Sequence, residues 1–255
     1  MKRIRIALAV ATLGLAAIVG SSTTARAGSG CPAPGDGMCD FNWSGYAAVA
    51  TAKFTSVTGK WAVPSVTCQG LPTEGVMTWV GMDGFQVGNN TEESGGTLAQ
   101  CNQGQPTTYE AYWFIEPGGV ITSLYQVYPG DQMQATVAYV SGKFKITVAD
   151  LNKGHKQTKT VSEVCAPGCQ RQSAEWIAEV PFDNITQGNL PEWNAPGNKL
   201  GFSGCFATAG GKKLAIGGLV NYPIAVWDSS QNVLALPTVL GSKGQGFTDM
   251  WEDEN

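Results

Sequence analysis

One histidine in 255 residues and a charged content of only 14% remove several kinds of chemistry at the outset. The single His155 sits in Asn152-Lys153-Gly154-His155-Lys156, a stretch that reads as a hairpin turn. No nucleophile stands near it in sequence, so a Ser-His-Asp triad is not expected there. Zinc is equally poorly served, because Cys165-x-x-x-Cys169 has no second cysteine pair at matching spacing. No metal and no cofactor are therefore expected. Positive charge is scarce too, with 16 Lys and Arg against 20 Asp and Glu, which argues against a phosphate-binding groove and a nucleic-acid partner. Segments of helical period never exceed two turns, and beyond the first 27 residues no apolar run approaches the roughly 20 residues of a membrane helix.

What is present begins with an export signal. Lys2, Arg3 and Arg5 precede an apolar run from Ile6 to Val19, and Ala25-Arg26-Ala27 forms a small-x-small cleavage site. Residues 1–27 thus read as a secretory signal peptide and residues 28–41 as a short extension. Cleavage after Ala27 removes four of the 16 basic residues and none of the 20 acidic ones, leaving a net charge of −8. The expected product is secreted, free of the membrane and monomeric. An oxidising destination makes disulfides the default for the seven cysteines. Cys31 with Cys39 and Cys165 with Cys169 each bracket a Pro-Gly turn, Cys68 pairs with Cys101, and Cys205 is left as a buried free thiol.

From residue 42 to 255 the pattern is that of one all-β domain. Met133, Ala135, Val137 and Tyr139 alternate with polar residues, and after the Ser141-Gly142 turn Phe144, Ile146 and Val148 do the same. Similar stretches recur at 44–50, 77–82, 109–115, 174–180, 200–207 and 214–226, separated by glycine or proline. Short strands with frequent turn signals and no linker predict an antiparallel β-sandwich.

The stretch Ser173-Ala174-Glu175-Trp176-Ile177-Ala178-Glu179-Val180 carries the most chemical information. Strict alternation puts Glu175, Ile177 and Glu179 on one face and Ala174, Trp176, Ala178 and Val180 on the other. A glycosidase pair is the first thought for two carboxylates on such a fold. Four residues of strand, however, separate them by about 13 Å, beyond the roughly 5–9.5 Å that glycoside hydrolysis uses.

Beyond these residues, the chain resembles the glutamic peptidases, the eqolisin or G1 group of secreted acid endopeptidases. The likeness is carried in order by Asn42-Trp43-Ser44-Gly45-Tyr46, Trp61-Ala62-Val63-Pro64, Trp79-Val80-Gly81-Met82-Asp83-Gly84, Tyr109-Glu110-Ala111-Tyr112-Trp113, Pro129-Gly130-Asp131, Ser173 to Glu179, and Phe247-Thr248-Asp249-Met250-Trp251. It implies a two-sheet sandwich of the concanavalin A-like or jelly-roll type, a protein or peptide substrate, and a Glu/Gln pair. In that pair the glutamate is general base to a water and the glutamine amide holds the oxyanion.

Glu175 matches the family glutamate. The glutamine position, ten residues after Asp83, is occupied by Glu93, followed by Ser94-Gly95; Gln100 is the alternative and needs a longer insertion. Trp43, Trp79 and Asp83 match positions at or beside the substrate cleft. Phe114 replaces a family glutamate and Glu116 a family tyrosine. A Glu/Glu pair would have to share one proton and so would be confined to acid pH. A degenerate binding module and a carbohydrate-binding or glucanase-like sandwich are the competing readings.

Overall fold

The computed structural model describes residues 31–35, 37–70, 74–86, 91–102, 104–117, 119, 121–162, 169–181, 190–193, 199–228 and 230–252. The signal segment 1–27 and Cys165 lie outside them. The strands are β1 (Met38–Asp40), β2 (Trp43–Val49), β3 (Phe54–Ala62), β4 (Val66–Thr67), β5 (Gly75–Met82), β6 (Glu92–Asn102), β7 (Gln105–Glu116), β8 (Thr122–Gln126) and β9 (Gln132–Val140). They continue with β10 (Lys143–Asp150), β11 (Lys156–Ser162), β12 (Ser173–Glu179), β13 (Glu192–Trp193), β14 (Lys199–Ala209), β15 (Lys212–Ala215), β16 (Val220–Trp227), β17 (Val233–Pro237) and β18 (Gly246–Trp251). Among the described residues there is no α-helix, and the only helical turn is a 3₁₀ turn at Ile216–Gly218. That turn breaks the expected strand over 214–226 into β15 and β16.

Hydrogen bonds run in the order β11-β10-β9-β3-β14-β18-β17-β16-β2-β12-β5-β6-β7-β8, with β1 parallel to β16 and β15 beside β14. β4 and β13 pair separately. The long ladder folds over itself, so that β3, β9 and β10 lie against β5, β6 and β12. The expected two-layer sandwich is therefore built from one continuous set of strand pairings, and the other pairings are antiparallel. The hairpin around Ser141-Gly142 joins β9 to β10, with Lys143 opposite Val140. His155 is exposed in the turn between β10 and β11, as its lysine-rich surroundings predicted.

The core lies between the layers. Trp61, Trp176, Phe54, Phe144, Met82, Met133 and Ile146 are buried there. Two tryptophans satisfy their indole N–H groups across the gap: Trp176 Nε1 donates to the Thr58 carbonyl at 2.8 Å and Trp61 Nε1 to Thr97 Oγ1 at 2.9 Å. Buried indoles need such partners, so the two bonds fix how the layers face each other. Cys31–Cys39 and Cys68–Cys101 are disulfides and Cys205 is a buried free thiol, each as expected. Cys169 is also disulfide-bonded.

Asp249 of β18 has no exposed surface. The Ser44 hydroxyl donates to its Oδ1 at 2.7 Å, while Oδ2 has no hydrogen-bond partner among the described residues. Burial pushes its carboxyl up to about 8, against the opposing pull of the Ser44 hydroxyl and the Met250 N–H. A carboxyl with a raised folded-state pKa contributes stability that is complete below its ordinary value of 3.8 and is lost as pH rises through about 8. Asp249→Asn should therefore raise the thermal midpoint at pH 8.5 by about 5 °C or more and change it little at pH 3.5. Thermal unfolding followed by circular dichroism at the two pH values measures this. An equal shift at both would show that Asp249 is not protonated in the fold.

Candidate active site

Position in the sheet decides which side chains can meet. β12 lies between β2 and β5, and all but the last of its residues are buried. Glu175 is in register with Ala47 on one side and Gly81 on the other; Gly81 is in register with Ser94, and Ser94 with Phe114. Residues directly opposite one another across antiparallel strands share a face. Glu175, Ser94 and Phe114 therefore project from the same face, where Ile177, Trp79, Tyr112 and Met77 form an apolar floor with Trp43 and Phe85 against it. The opposite face of β12, with Ala174, Trp176, Ala178 and Val180, enters the inter-layer core. Both halves of the predicted alternation are thus observed.

Between Glu175 and β6 the sheet is bare because Gly81 stands there. A Cβ on Gly81 would lie 2.6 Å from the Trp79 ring and 3.1 Å from Ser94 Cβ. A side chain at that point would fill the gap over which Glu175 faces β6. Both carboxyl oxygens of Glu175 are without a hydrogen-bond partner among the described residues, and the side chain is fully buried. Burial holds its pKa well above the usual carboxylate range, and the nearby Asp83, Glu92 and Glu93 push the same way. The Ser173 hydroxyl pulls downward, from a position that falls short of a formed hydrogen bond.

The register corrects the expected partner. Glu93 is opposite Met82, which is opposite Ala174, so its side chain leaves the sheet on the core face, away from that of Glu175. Its neighbours agree: a Cβ on Gly95, two residues along, would meet Ile146 and Val148, and Glu93 Oε1 lies 3.5 Å from Cys169 Sγ in the core. Since Cys169 is disulfide-bonded, its sulfur has no proton to give, and only a protonated Glu93 can donate across that gap. Gln100 is also placed elsewhere. It stands opposite Gly75 at the far end of β6, and its amide donates to the Glu74 carbonyl at 2.9 Å.

The glutamate of β6 that shares Glu175's face is Glu92, two residues from Ser94. Its carboxyl lies over Gly84, 3.7 Å from where a Cβ would stand, and the Trp43 ring is 3.3 Å from the same point. Part of Glu92 remains exposed. Its carboxyl is nevertheless crowded, and burial followed by the charge of Glu179 pushes it up to about 8, with Glu116 adding and Ser94 opposing.

Glu179 accepts from Trp79 Nε1 at 2.7 Å and Asn42 Nδ2 at 3.2 Å. Burial raises it to about 7 against those bonds. Tyr112, fully buried on this face, has a hydroxyl with no partner among the described residues, and its pKa is raised by burial and then by Glu179 and Glu92. Glu92 and Tyr112 were not singled out from the sequence as site residues; the signal available was the parity of β6, which fixes Glu92 opposite to Glu93.

Trp43 and Trp79 meet edge to face at 5.1 Å, with Trp79 buried in the floor and Trp43 partly exposed. Asp83 is brought close without facing the cleft surface. It is fully buried at φ 70°, and its two oxygens accept from the Arg171 and Gln172 backbone N–H groups at 2.7 and 2.9 Å. Its own N–H bonds the Ser173 carbonyl at 3.2 Å. Asp83 thus anchors the chain entering β12, two residues before Glu175, at a position beside the cleft.

Cys68, Glu74 and Cys101 cluster, but they are no free metal-donor set. The two sulfurs are joined to each other, and Glu74 accepts from the backbone of Gln69 and Gly70.

Replacing Asp83 by alanine removes two charge-assisted hydrogen bonds and should lower stability by about 2–4 kcal/mol. Urea denaturation measures this, and a loss below about 0.5 kcal/mol would show that Asp83 does not anchor β12.

A family profile described as the Peptidase A4 family matches residues 41–244. No curated protein matches the chain. Among solved structures, a Scytalido-glutamic peptidase bound to a peptide-based transition-state analogue superposes with a TM-score of 0.68 at 20% identity, covering 83% of this chain and 98% of its own. SCP-B, an eqolisin in complex with the tripeptide Ala-Ile-His, gives 0.66 at 19% identity with the same coverage. The aspergilloglutamic peptidase of Aspergillus niger gives 0.56 at 23%, covering 70% of this chain and 99% of its own. At these identities the superpositions establish a shared fold. With the profile spanning most of the chain, the protein belongs to the Peptidase A4 family, the glutamic peptidases or eqolisins.

Proposed function

We propose that the chain is a secreted endopeptidase that hydrolyses peptide bonds in a cleft floored by Trp79, Ile177 and Tyr112, with Glu175 as a catalytic carboxyl. The observation that carries this reading is Glu175 itself, buried with both oxygens unpartnered and surrounded by other carboxyls. Such a group costs stability, and sites of this kind are where chemistry is done. The two solved relatives with peptide-based ligands named above make a peptide the natural substrate class.

In the proposed reaction, two carboxyls share one proton. The ionised one takes a proton from water as its oxygen bonds to the carbonyl carbon, and the protonated one hydrogen-bonds to the carbonyl oxygen as it gains charge. The proton taken from water then passes to the departing nitrogen as the C–N bond breaks. A site that needs one proton loses activity in alkali. Burial raises both pKa values of the pair, so both limbs of the pH profile move upward from the ordinary carboxylate range near 4.3. The optimum therefore lies above the strongly acid range that the resemblance alone suggests.

A second reading is a cleft that binds peptides without cutting them. It is favoured by the complete burial of Glu175 and by Phe114, 8% exposed, on the same face where the family resemblance places a glutamate. Cleavage of a denatured protein by the purified chain from pH 2 to 9, with pepstatin and a chelator present, separates the two. The expected result is cleavage with an optimum above the strongly acid range that falls at least about 1000-fold in Glu175→Ala. Undiminished cleavage by that variant would remove Glu175 from the chemistry, and peptide binding without cleavage would establish the second reading.

A further inference from the structure

We propose that Glu92 is the second catalytic carboxyl of this site and acts as the base, with Glu175 as the proton-bearing donor. This rests on the peptidase reading above and reverses the part that the family resemblance assigns to Glu175. Two geometric observations support it. Glu92 is the only glutamate of β6 on Glu175's face, one pleat along the strand from Ser94, which stands across the bare Gly81 from Glu175. Glu92 also reaches solvent, whereas Glu175 does not. Of two interacting carboxyls, the better hydrated one ionises first, and the buried one keeps the shared proton.

Glu92 then removes a proton from the attacking water while the water oxygen bonds to the carbonyl carbon. Glu175 donates a hydrogen bond to the carbonyl oxygen, and the proton held by Glu92 moves to the leaving nitrogen as the C–N bond breaks. One water is consumed, and both carboxyls return to their starting states. The other groups facing Glu92 are Glu116, directly opposite on β7, and Glu179, Ser94 and Tyr112; none carries positive charge. They tune when Glu92 loses its proton without being able to replace it as base at the Glu175 position.

The roles predict opposite responses to the same substitution. Glutamine donates a hydrogen bond as a protonated carboxyl does but cannot accept a proton. Glu92→Gln should lower kcat by at least about 1000-fold with KM within about threefold. Glu175→Gln should keep kcat within about 30-fold of the wild type and lose the fall in activity at alkaline pH, because its donor no longer ionises. Glu93→Gln should keep kcat within about threefold.

Full activity in Glu92→Gln, or loss of activity confined to Glu93→Gln, overturns the assignment while leaving the peptidase reading intact. If the wild type cleaves nothing, the peptidase reading fails and the pairing is decided by infrared titration of the carboxyl groups in the intact chain. Removal of the Glu92 charge should lower the apparent pKa of Glu175 by about one unit or more, and an unchanged Glu175 would refute the pairing.

Discussion

A carboxyl group enclosed in a sheet with no hydrogen-bond partner among the described residues is the constraint around which this protein is arranged. Leaving such a group charged in an apolar wall is far more costly than leaving it protonated, so Glu175 keeps its proton well above the ordinary carboxylate range. The fold holds it there from three directions. Asp83 clamps the chain just before β12 through two backbone N–H groups. Trp176, the next residue, turns the opposite way and is tied to β3 through Thr58. Gly81 keeps the neighbouring strand bare, so that the carboxyl faces β6 across an open pleat. Glu175 is thus held through its neighbours in the sheet.

The same electrostatics apply to the whole molecule. Asp249, Glu92, Glu179 and Glu175 all have raised pKa values, with burial the first cause in each case. Groups of this kind leave the fold unpenalised in acid and tax it as pH rises, the reverse of the usual paired aspartate. Only two ion pairs are found among the described residues, both made by Lys153 in the turn after β10, to Asp131 and Asp150. A chain with few charges and few ion pairs has little to lose when carboxylates are protonated. The low charged fraction and the buried acids point the same way: few carboxylates of the described residues are held by ion pairs, and several are buried where the protonated form is favoured.

Much of this was legible in the sequence, because period-two alternation reports directly on strands. The β9–β10 hairpin, the two faces of β12 and the Cys31–Cys39 disulfide follow from spacing, and the ordered motifs from Asn42 to Trp251 identify the family. The partner of Glu175 was not legible, for a physical reason. Counting ten residues from Asp83 reaches Glu93, but a count through a loop does not determine the face on which the next strand resumes. Two glutamates stand side by side at the start of β6, and in a strand adjacent residues point to opposite faces. Only the pairing of Met82 with Glu93 and Gly81 with Ser94 decides between them. The bonding of Asp83 was not legible for a related reason: its φ of 70° belongs to a turn that brings the carboxylate to the backbone just before β12, and nothing in Asp83-Gly84 reveals what the side chain bonds.

The departures from the family pattern on β7 take on a meaning once register is known. Phe114 stands where the resemblance places a glutamate and Glu116 where it places a tyrosine, which in sequence looks like the loss of one site residue and damage to another. Residues 114 and 116 are one pleat apart on the same face, and Glu116 is in register with Glu92 as Phe114 is with Ser94. The acid has therefore moved along the face rather than left it. An apolar ring now stands in the row of residues that runs from Glu175 through Gly81 and Ser94, and negative charge is concentrated around Glu92. Burial first, and then the charges of Glu179 and Glu116, hold the Glu92 carboxyl above its ordinary range. In the proposed pair the buried carboxyl keeps the shared proton and the partly exposed one ionises first, and a shared-proton hydrolysis needs one of each.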